Sequence, residues 1–436
     1  MLAQSCSDFE LLIIDDGSTD DSKKIIESYS SNFKIKIIYQ HNKGLNVTNN
    51  IAARAAAGKY IIRLDADDYF ATNALEKMSG KLETNPELGM VFPNYYYVDE
   101  NDRIIGEEIR HDFDNNEVSL LDQPAHGACT MIRTDFLKEI GGYDESFNCQ
   151  DGYELWIKFT RRFKVSNLQE SLFYYRKHGS NLTSNEELIL KTRAKINQKY
   201  INKRQTENST LVIIPIRGGD QDLAFQSING KNILTSKIDM LLKSTYVKKI
   251  VVSSPDLRIE KYIKQYKTKK NVLFHLRNET KARINNNLNT TVSEISNKFG
   301  SNTANLAIIT IEYPLIRPEH VDDAINTMSL FGTDSIISVR PDNAIFFQHH
   351  GDGLHPILNR EKFTKLEREV LFKQAGGITA VRKIFFDKSK QVLSGKIGHT
   401  MIDQKAAMGL FSKIDFEVIS NILRKNENLK PKSSLT

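Results

Sequence analysis

The chain has 436 residues and a formal net charge of +6, from 60 Lys and Arg against 54 Asp and Glu. That length predicts at least two domains, because domains commonly have about 150 residues. The charge is mild and forms no dense Lys/Arg cluster interleaved with aromatic residues. This argues against a nucleic-acid partner and leaves open an acidic glycan or an anionic membrane surface.

No signal peptide and no apolar run of about 18 residues is present. The three cysteines, Cys6, Cys129 and Cys149, have neither metal-ligand spacing nor a disulfide pattern, which agrees with a soluble cytoplasmic protein.

Two clusters of aspartate follow short apolar runs near the amino terminus. They are Asp15 and Asp16 after residues 11–14, and Asp65, Asp67 and Asp68 after residues 60–64. Each run predicts a buried parallel strand, and open α/β sheets bind ligands beyond the carboxyl ends of such strands. Asp65 and Asp67 have the oxygen ligands and the spacing that suit Mg²⁺ or Mn²⁺ together with substrate phosphates. A polar turn or helix cap explains one cluster equally well. Two clusters in one α/β unit favour a nucleoside-diphosphate and metal site.

Residues 1 to about 204 resemble the family 2 glycosyltransferases, which have the GT-A fold. Asp15–Asp20 is similar to the family motif DDGSTD, and Asp65–Asp67 is similar to its DXD motif. Residues 41–54 resemble the family segment between these motifs. The resemblance implies a domain that binds a nucleotide-diphosphate sugar and a divalent metal.

The resemblance also implies roles for individual residues. Asp16, or its neighbour Asp15, would contact the uracil or ribose of the nucleotide sugar. Asp65 would meet the ribose, and Asp67 would bind the metal that bridges the diphosphate. Further contacts to the diphosphate are implied for Lys43, Arg54, Arg176 and His178. A solvated surface position is the alternative for the basic side chains and for His178.

A glycosyl transfer needs a base to take the proton from the acceptor hydroxyl. The family carries that base in an (E/D)D pair before an aromatic-rich helix, which 150–156 resembles with Gln150 in the place of the first acid. Asp151 is therefore the candidate base, and Glu154 is expected on the helix surface. An Asp at the start of a helix is also a common helix cap, which is the alternative interpretation.

The chain departs from the family at its amino terminus. Family members open with a strand resembling VSVIIPTYN and a helix, whereas residues 1–10 correspond to the end of that helix. A missing central strand would leave backbone donors unpaired and an apolar edge exposed. Because every later motif is legible, we expect a start codon placed too far downstream rather than a damaged domain.

The second half predicts another α/β domain. The proposed organisation is a glycosyltransferase domain at 1–204, a linker at 205–209, a second domain at 210–425 and a flexible tail at 426–436. Residues 210–425 resemble the acylneuraminate and related sugar-acid cytidylyltransferases, because 214–222 stands where that family has IPARGGSKG. Further similar segments are 229–234, 251–254, 313–317 and 395–399. The expected fold is thus two Rossmann-like nucleotide-binding domains in tandem, GT-A and then nucleotidyltransferase-like.

The second half lacks the groups that nucleotidyl transfer needs. Asp220 and Asp222 replace the cationic side of the glycine loop, and two carboxylates repel a triphosphate without a metal. The family's metal-binding DID motif corresponds to 409–411, which has no side-chain oxygen. A degenerate domain is therefore expected, with Arg217, Gly218 and Gly219 as weak nucleotide contacts. Its role as a dimerisation or support domain is equally open.

The sequence predicts an inverting glycosyltransferase of the hexosyl-transferring type, acting in surface polysaccharide synthesis. Its partners would be a nucleotide-diphosphate sugar and a glycan or lipid-linked acceptor. Peripheral attachment to the inner membrane face and homo-oligomerisation through the second domain stay open. One alternative is a bifunctional chain whose second half activates a sugar acid with CTP, using Asp220, Asp222 or Asp403. The other is a non-enzymatic binding or scaffold protein. The donor, the acceptor and the linkage are not encoded in recognisable motifs.

Overall fold

The computed structural model describes residues 1–115, 127–177, 185–201, 208–266, 271–283, 286–342, 344, 346–349, 354–357 and 371–428. The chain forms two compact units, Met1–Ile196 and Asn197–Thr436. In each unit helices pack on a β-sheet, which confirms the predicted α/β class with two tandem units. Residues 205–207 of the proposed linker lie outside the described residues. In these ranges no helix is both long and apolar enough to cross a membrane.

The secondary structure alternates between strands and helices along the chain. The elements that begin in the first unit are β1 (Leu11–Asp15), α1 (Ser22–Glu27), β2 (Ile35–Tyr39), α2 (Leu45–Ala55), β3 (Tyr60–Ile62), β4 (Tyr69–Phe70), α3 (Ala74–Thr84), β5 (Leu88–Val98), β6 (Ile104–Glu108), β7 (Met131–Arg133), α4 (Thr134–Glu139), α5 (Asp151–Phe159), β8 (Lys164–Arg176) and α6 (Glu186–Tyr200). The elements of the second unit are β9 (Thr210–Pro215), β10 (Ser227–Ile228), β11 (Lys231–Asn232), α7 (Ile233–Leu241), β12 (Val247–Ser254), α8 (Arg258–Lys264), β13 (Val272–Leu276), α9 (Glu279–Ala282), α10 (Asn289–Phe299), β14 (Asn305–Ile309), α11 (Pro318–Leu330), β15 (Ser335–Asp342), β16 (Phe347–His349), β17 (Leu354–Pro356), β18 (Leu371–Arg382), α12 (Lys383–Ser389), β19 (Ile397–Met401) and α13 (Lys413–Asn428). The backbone of 426–428, assigned from the sequence to the tail, is thus the end of α13.

The main sheet of the first unit has helices on both faces. Its strand order is β3-β7-β5-β8-β4, with β6 paired to β5. Successive side chains of β5 point to opposite faces. Val91 packs with Met78 of α3, whereas Phe92 packs with Trp156 of α5. Burying side chains of this size stabilises the fold by about 1.5–3 kcal/mol each, which explains why β5 is apolar on both faces.

Two expectations about the strands that carry the aspartates are wrong. β3 pairs antiparallel with β7, not parallel to a neighbour. Residues 11–14 of β1 are half-buried, not buried. In the described residues β1 pairs only with β2, in a separate parallel sheet, so one strand edge has no partner to cover it. A short apolar run does not determine the direction of its neighbour, because that neighbour is distant in the chain.

The second unit has a seven-stranded sheet in the order β13-β12-β9-β14-β18-β15-β19. Its first four strands are parallel, and by their order in the chain they read 3-2-1-4. In doubly wound sheets of this order, ligands bind beside the carboxyl ends of the strands where the order reverses. In this unit that place lies between β9 and β14.

Candidate active site

The loop after β1 holds the first aspartate motif in a fixed turn. Asp16 accepts hydrogen bonds from the backbone N–H groups of Lys43 (2.8 Å) and Gly44 (2.9 Å). Burial raises the pKa of Asp16, but the hydrogen bonds outweigh burial and the net pKa lies below its ordinary value. Asp15 accepts from the Ser18 N–H (2.8 Å), and the Ser18 bonds lower the pKa of Asp15. Both carboxylates therefore stay ionised at neutral pH, and Asp16 fastens this loop to the start of α2.

The second aspartate motif lies between β3 and β4, beside the end of β8. The backbone N–H of Arg176 donates to Oδ1 of Asp68 (2.8 Å), and its Nε donates to the carbonyl of Asp67 (2.9 Å). The guanidinium also donates to the carbonyl of Asp99 and to the carboxylate of Asp102. The structure thus places Arg176, a predicted diphosphate contact, beside the predicted metal motif.

Asp68 is buried with only part of its carboxylate satisfied. Its Oδ2 is buried and has no hydrogen-bond partner. The pKa of Asp68 is raised to about 7, mainly by burial and also by the nearby carboxylates of Asp67 and Asp65, which together outweigh the bond from Arg176. A buried acceptor without a donor costs roughly 1–3 kcal/mol. The motif therefore has an unmet need for positive charge or for a donor.

This motif fits a metal that is held partly by its substrate. In the described ranges no three His, Cys, Asp or Glu side chains converge as a ready-made metal site. Mg²⁺ needs no such cage, because it commonly takes one or two carboxylates and completes its shell with water and phosphates. The unsatisfied Oδ2 and the raised pKa of Asp68 indicate uncompensated negative charge at the motif, which a bound cation would offset. The residues present therefore fit a divalent cation.

Arg63, two positions before the second motif, connects that motif to Asp151. Its Nη1 donates to Oδ2 of Asp151 at 2.5 Å, and its Nε lies 2.9 Å from Oδ1 of Asp65. The side chains of Arg63 and Asp151 are 17% and 13% exposed. Burial lowers the pKa of Arg63, but the two carboxylates outweigh burial and raise its pKa above the ordinary value. The three groups form one ion-pair chain, Asp65–Arg63–Asp151.

Gly127 leaves room for this chain. A Cβ at this position would lie 3.0 Å from Nη2 of Arg63 and 3.0 Å from Oδ2 of Asp151. A cavity of about 10 Å³ adjoins Asp151 and is also lined by Tyr143 and Trp156. That volume corresponds to about one water molecule. The candidate base thus has space beside it for one small oxygen-bearing group.

Asp151 begins α5 from an unusual backbone position. Gln150, just before it, has φ of 64°, a left-handed conformation that non-glycine residues rarely adopt. The Gln150 side chain accepts a hydrogen bond from Nε of Arg193 (2.6 Å), which holds it in place. Glu154 is fully buried 3.4 Å from Nζ of Lys158, so the expectation of a surface position is wrong. A buried Glu is tolerated because it is paired, and the tertiary cover over this face is not visible in the helix sequence.

Three predicted donor contacts keep their status as predictions. The side chains of Lys43 and Arg54 are exposed to solvent, and only the backbone of Lys43 touches the first motif. His178 lies outside the described residues. Arg63 and Asp68 carry no role in the sequence interpretation, although they hold the most unusual electrostatics of the site. The signal that points to Arg63 is a single arginine inside an otherwise apolar run.

In the second unit, the glycine turn after β9 is closed by carboxylates of the chain itself. The N–H of Gly218 donates to Asp222 (2.9 Å), and the N–H of Gly219 donates to Asp256 (3.3 Å). Both glycines have positive φ, 83° and 102°, which orients the amides for these contacts. The amides that were predicted to cradle phosphate are thus already paired with carboxylates.

Arg258 neutralises the same turn. It donates to both oxygens of Asp256 and to Asp220 (2.6 Å). Its hydrogen bonds lower the pKa of Asp256 to about 2. The Arg217 side chain is exposed. The pKa of Arg277 is lowered first by its own burial and second by the nearby positive charge of Arg217. Arg217 and Arg277 are therefore two neighbouring cations, and Arg217 stays a predicted anion contact.

The carboxylates considered as alternative metal ligands have separate partners. Asp220 pairs with Arg258, and Asp222 accepts from the backbone of Gly218. Asp403 lies 3.0 Å from Nη2 of Arg317 and 3.2 Å from His320. These contacts do not bring the three carboxylates to one place.

Comparisons with known proteins show what parts of the chain are similar to. Residues 1–141 match the model described as glycosyl transferase family 2, a range that contains both aspartate motifs and ends before Asp151. An uncharacterized glycosyltransferase of Nostoc sp. is 29% identical, with 46% of this chain and 68% of that protein covered. Chondroitin synthase of Escherichia coli is 26% identical, with 41% of this chain and only 26% of that protein covered. The solved structure of CMP:2-keto-3-deoxy-manno-octonic acid synthetase with CTP has 14% identity and a TM-score of 0.38, and the match covers 50% of this chain and 99% of that chain.

Proposed function

We propose that the first unit is an inverting glycosyltransferase that moves a sugar from a nucleoside-diphosphate sugar to a hydroxyl of a glycan or lipid-linked acceptor. The ion-pair chain Asp65–Arg63–Asp151 carries the proposal, because it joins a metal-type acid motif to a carboxylate that can act as a base. The family match over 1–141 supports the same class of reaction. A chondroitin synthase among the relatives supports a role in polysaccharide synthesis.

Asp151 acts as the general base in this proposal. It accepts the proton of the acceptor hydroxyl, and the hydroxyl oxygen attacks the anomeric carbon on the face opposite the leaving diphosphate. The single displacement inverts the configuration at that carbon and needs no covalent intermediate. A positioned base of this kind contributes typically 10²–10⁴-fold to the rate. The cavity beside Asp151 offers space for the hydroxyl that loses its proton.

The donor is held by the two aspartate motifs. Asp15 or Asp16 contacts the nucleoside, Asp65 the ribose, and Arg176 the diphosphate near its anchored position. Asp67, with Asp65, would hold Mg²⁺ or Mn²⁺, which when bound neutralises charge on the departing diphosphate. Lys43, Arg54 and His178 are further proposed diphosphate contacts. The transferred sugar is proposed to be a hexose.

The second unit is proposed to be a degenerate relative of nucleotidyltransferases that supports or dimerises the protein. Its glycine turn is paired with Asp222 and Asp256, so a triphosphate would have to displace two carboxylates. That contact disfavours the bifunctional alternative. Location in the cytoplasm, peripheral attachment at the inner membrane face and homo-oligomerisation through this unit are parts of the same proposal.

Calorimetry on the full chain tests the proposal. UDP, GDP, TDP and CMP are titrated with and without Mn²⁺ into the wild type, Asp67→Ala and Asp222→Ala. We expect one nucleoside diphosphate to bind only with Mn²⁺, with binding lost in Asp67→Ala and retained in Asp222→Ala. Binding of every nucleotide to a folded wild type at background level would reject the transferase site and favour the scaffold alternative. Release of pyrophosphate from CTP and a sugar acid would instead establish the bifunctional alternative.

A further inference from the structure

Arg63 touches two carboxylates in two different ways. Toward Asp151 it makes a directed hydrogen bond from Nη1 at 2.5 Å. Toward Asp65 its Nε lies at 2.9 Å, yet the same Nε is a buried donor with no satisfied hydrogen bond, because the alignment is poor. Its Nη2 reaches the other oxygen of Asp65 only at 3.4 Å. The contact with Asp65 is therefore mainly one of charge, whereas the contact with Asp151 also fixes direction.

This difference suits an exchange of partners at Asp65. A charge contact with poor alignment is lost readily when a stronger cation arrives, since little directional bonding is broken. A directed bond between groups that are largely shielded from water is retained, because breaking it leaves a poorly solvated charge unpaired. A divalent cation that took Asp65 would take a carboxylate whose two oxygens Arg63 already contacts. Arg63 and such a cation therefore compete for one carboxylate.

If Arg63 served only to hold the fold together, the geometry of its two carboxylate contacts would be different. A guanidinium that only tied β3 to α5 would be expected to make well-aligned bonds at both ends, because a buried ion pair stabilises a fold only with excellent geometry. Here one end has that geometry and the other does not. The misaligned end is also the end that belongs to the metal motif.

We propose that Arg63 is a positioning residue that stands in for the metal at Asp65 in the unliganded protein and keeps hold of the Asp151 carboxylate when the metal takes Asp65. The proposal rests on the function proposed for the first unit, since it assigns Asp65 to the metal side and Asp151 to the acceptor side. Binding of the metal and donor would then leave Arg63 as the guide of the base alone. Arg63 itself exchanges no proton and forms no covalent bond.

The test is Mn²⁺ binding without nucleotide, measured on the full chain by electron paramagnetic resonance of free Mn²⁺. Without the competing guanidinium, Arg63→Gln should bind Mn²⁺ roughly five-fold more tightly than the wild type, the factor expected for one partly exposed ion pair. Arg63→Lys, which keeps the charge, should bind like the wild type. Asp151→Asn should bind Mn²⁺ more weakly, because Arg63 then turns to Asp65 alone. Arg162→Gln, which removes a surface arginine paired with Glu139 in the same unit, is the matched control and should change nothing.

Kinetics supply the second readout. Arg63→Gln should lower kcat by about 100-fold through a misplaced base, with the KM for the donor changed little. Arg63→Lys should restore a large part of kcat. A structural defect would not tighten metal binding, so the opposite signs of the Mn²⁺ and kcat changes separate the two roles.

Each outcome of the Mn²⁺-binding measurements either supports or overturns the role proposed for Arg63. Mn²⁺ binding by folded Arg63→Gln that is unchanged, weaker or absent overturns the proposal, whatever the activity. If Arg63→Gln does not fold, Arg63→Lys with wild-type affinity and weaker binding by Asp151→Asn supports it, and any other pair of results overturns it. Tighter Mn²⁺ binding by Arg63→Gln in a protein that transfers sugar from no donor would support the role of Arg63 and reject the proposed function.

Discussion

The two units place aspartates at strand ends in opposite electrostatic settings. In the first unit Asp68 has a buried oxygen without a donor, and burial raises its pKa to about 7. In the second unit Asp256 accepts from Arg258 and from Gly219, and its pKa is lowered to about 2. The same residue type thus has an unmet need for charge in one unit and a complete set of partners in the other. The difference teaches that an aspartate motif in the sequence does not reveal whether its carboxylates are already paired, because the fold decides which of them have partners.

The largest expected effect concerns transfer activity. Asp67→Asn and Asp151→Asn should each lower kcat/KM by about 1,000-fold or more, because the first removes a metal ligand and the second the base. Asp222→Asn in the second unit should leave kcat/KM unchanged within two-fold. Steady-state assays with the donor found by calorimetry measure this contrast. Equal losses in Asp67→Asn and Asp222→Asn would erase the distinction between the units.

Lys237 is a titratable group of the second unit that burial leaves in an unfavourable setting, so this unit also holds a perturbed charge. It is 3% exposed and donates to the carbonyl of Tyr313 at 2.6 Å, and burial lowers its pKa to about 7. The unfolded chain therefore binds more protons than the folded one between about pH 7 and the ordinary lysine pKa, so stability rises with pH in that window. Lys237→Met, which cannot titrate, should lack this rise, a difference on the order of 2 kcal/mol. Thermal unfolding at pH 6.5 and pH 9.5 measures it.

If the difference in stability between the wild type and Lys237→Met were the same at both pH values, Lys237 would not be titrating in that range. Lys243→Met is the matched control, because Lys243 lies in the same region of the chain and is exposed. It should shift the unfolding temperature equally at both pH values.

The Asp68 carboxylate should make the stability of the protein depend on pH. Because its folded pKa is raised to about 7, the folded protein holds an extra proton between the ordinary Asp pKa and pH 7. The stability that comes from protonating Asp68 is fully present below that window and is lost as the pH rises through it. Asp68→Asn should therefore gain stability relative to the wild type at pH 8 but not at pH 4.5, by on the order of 1 kcal/mol. The measurement is thermal unfolding in a chelating buffer, and an equal shift at both pH values would contradict it.

The smallest expected effect is the loss of a partner in the second unit. Asp256→Asn weakens the bonds from Arg258 and should lower stability by about 1 kcal/mol, with no change in Mn²⁺-dependent nucleotide binding. Urea unfolding and calorimetry on the same samples test both halves of this statement. Loss of nucleotide binding in Asp256→Asn would place a nucleotide site in the second unit.

The candidate site could be predicted where its residues are neighbours in the sequence. Asp65 and Asp67 are recognisable from their spacing after an apolar run, and Arg176, predicted from the sequence to contact the diphosphate, lies beside Asp67. Arg63 was not predictable, because its role depends on Asp151, which lies 88 positions away in the chain. The burial of Glu154 was missed for the same reason, since the cover on that face comes from distant segments.

The α/β class, the two-unit organisation and the aspartate motifs could be predicted from the sequence, because apolar periodicity and short motifs are local properties of the chain. Which carboxylates have partners became clear from the three-dimensional fold. Gly218 and Gly219 look like a phosphate cradle in the sequence. The Gly218 amide binds Asp222 of the same loop, whereas the Gly219 amide binds Asp256 only because the fold brings the ends of β9 and β12 together. Charge acts through space, so the electrostatic state of an aspartate is set by neighbours that the linear order does not reveal.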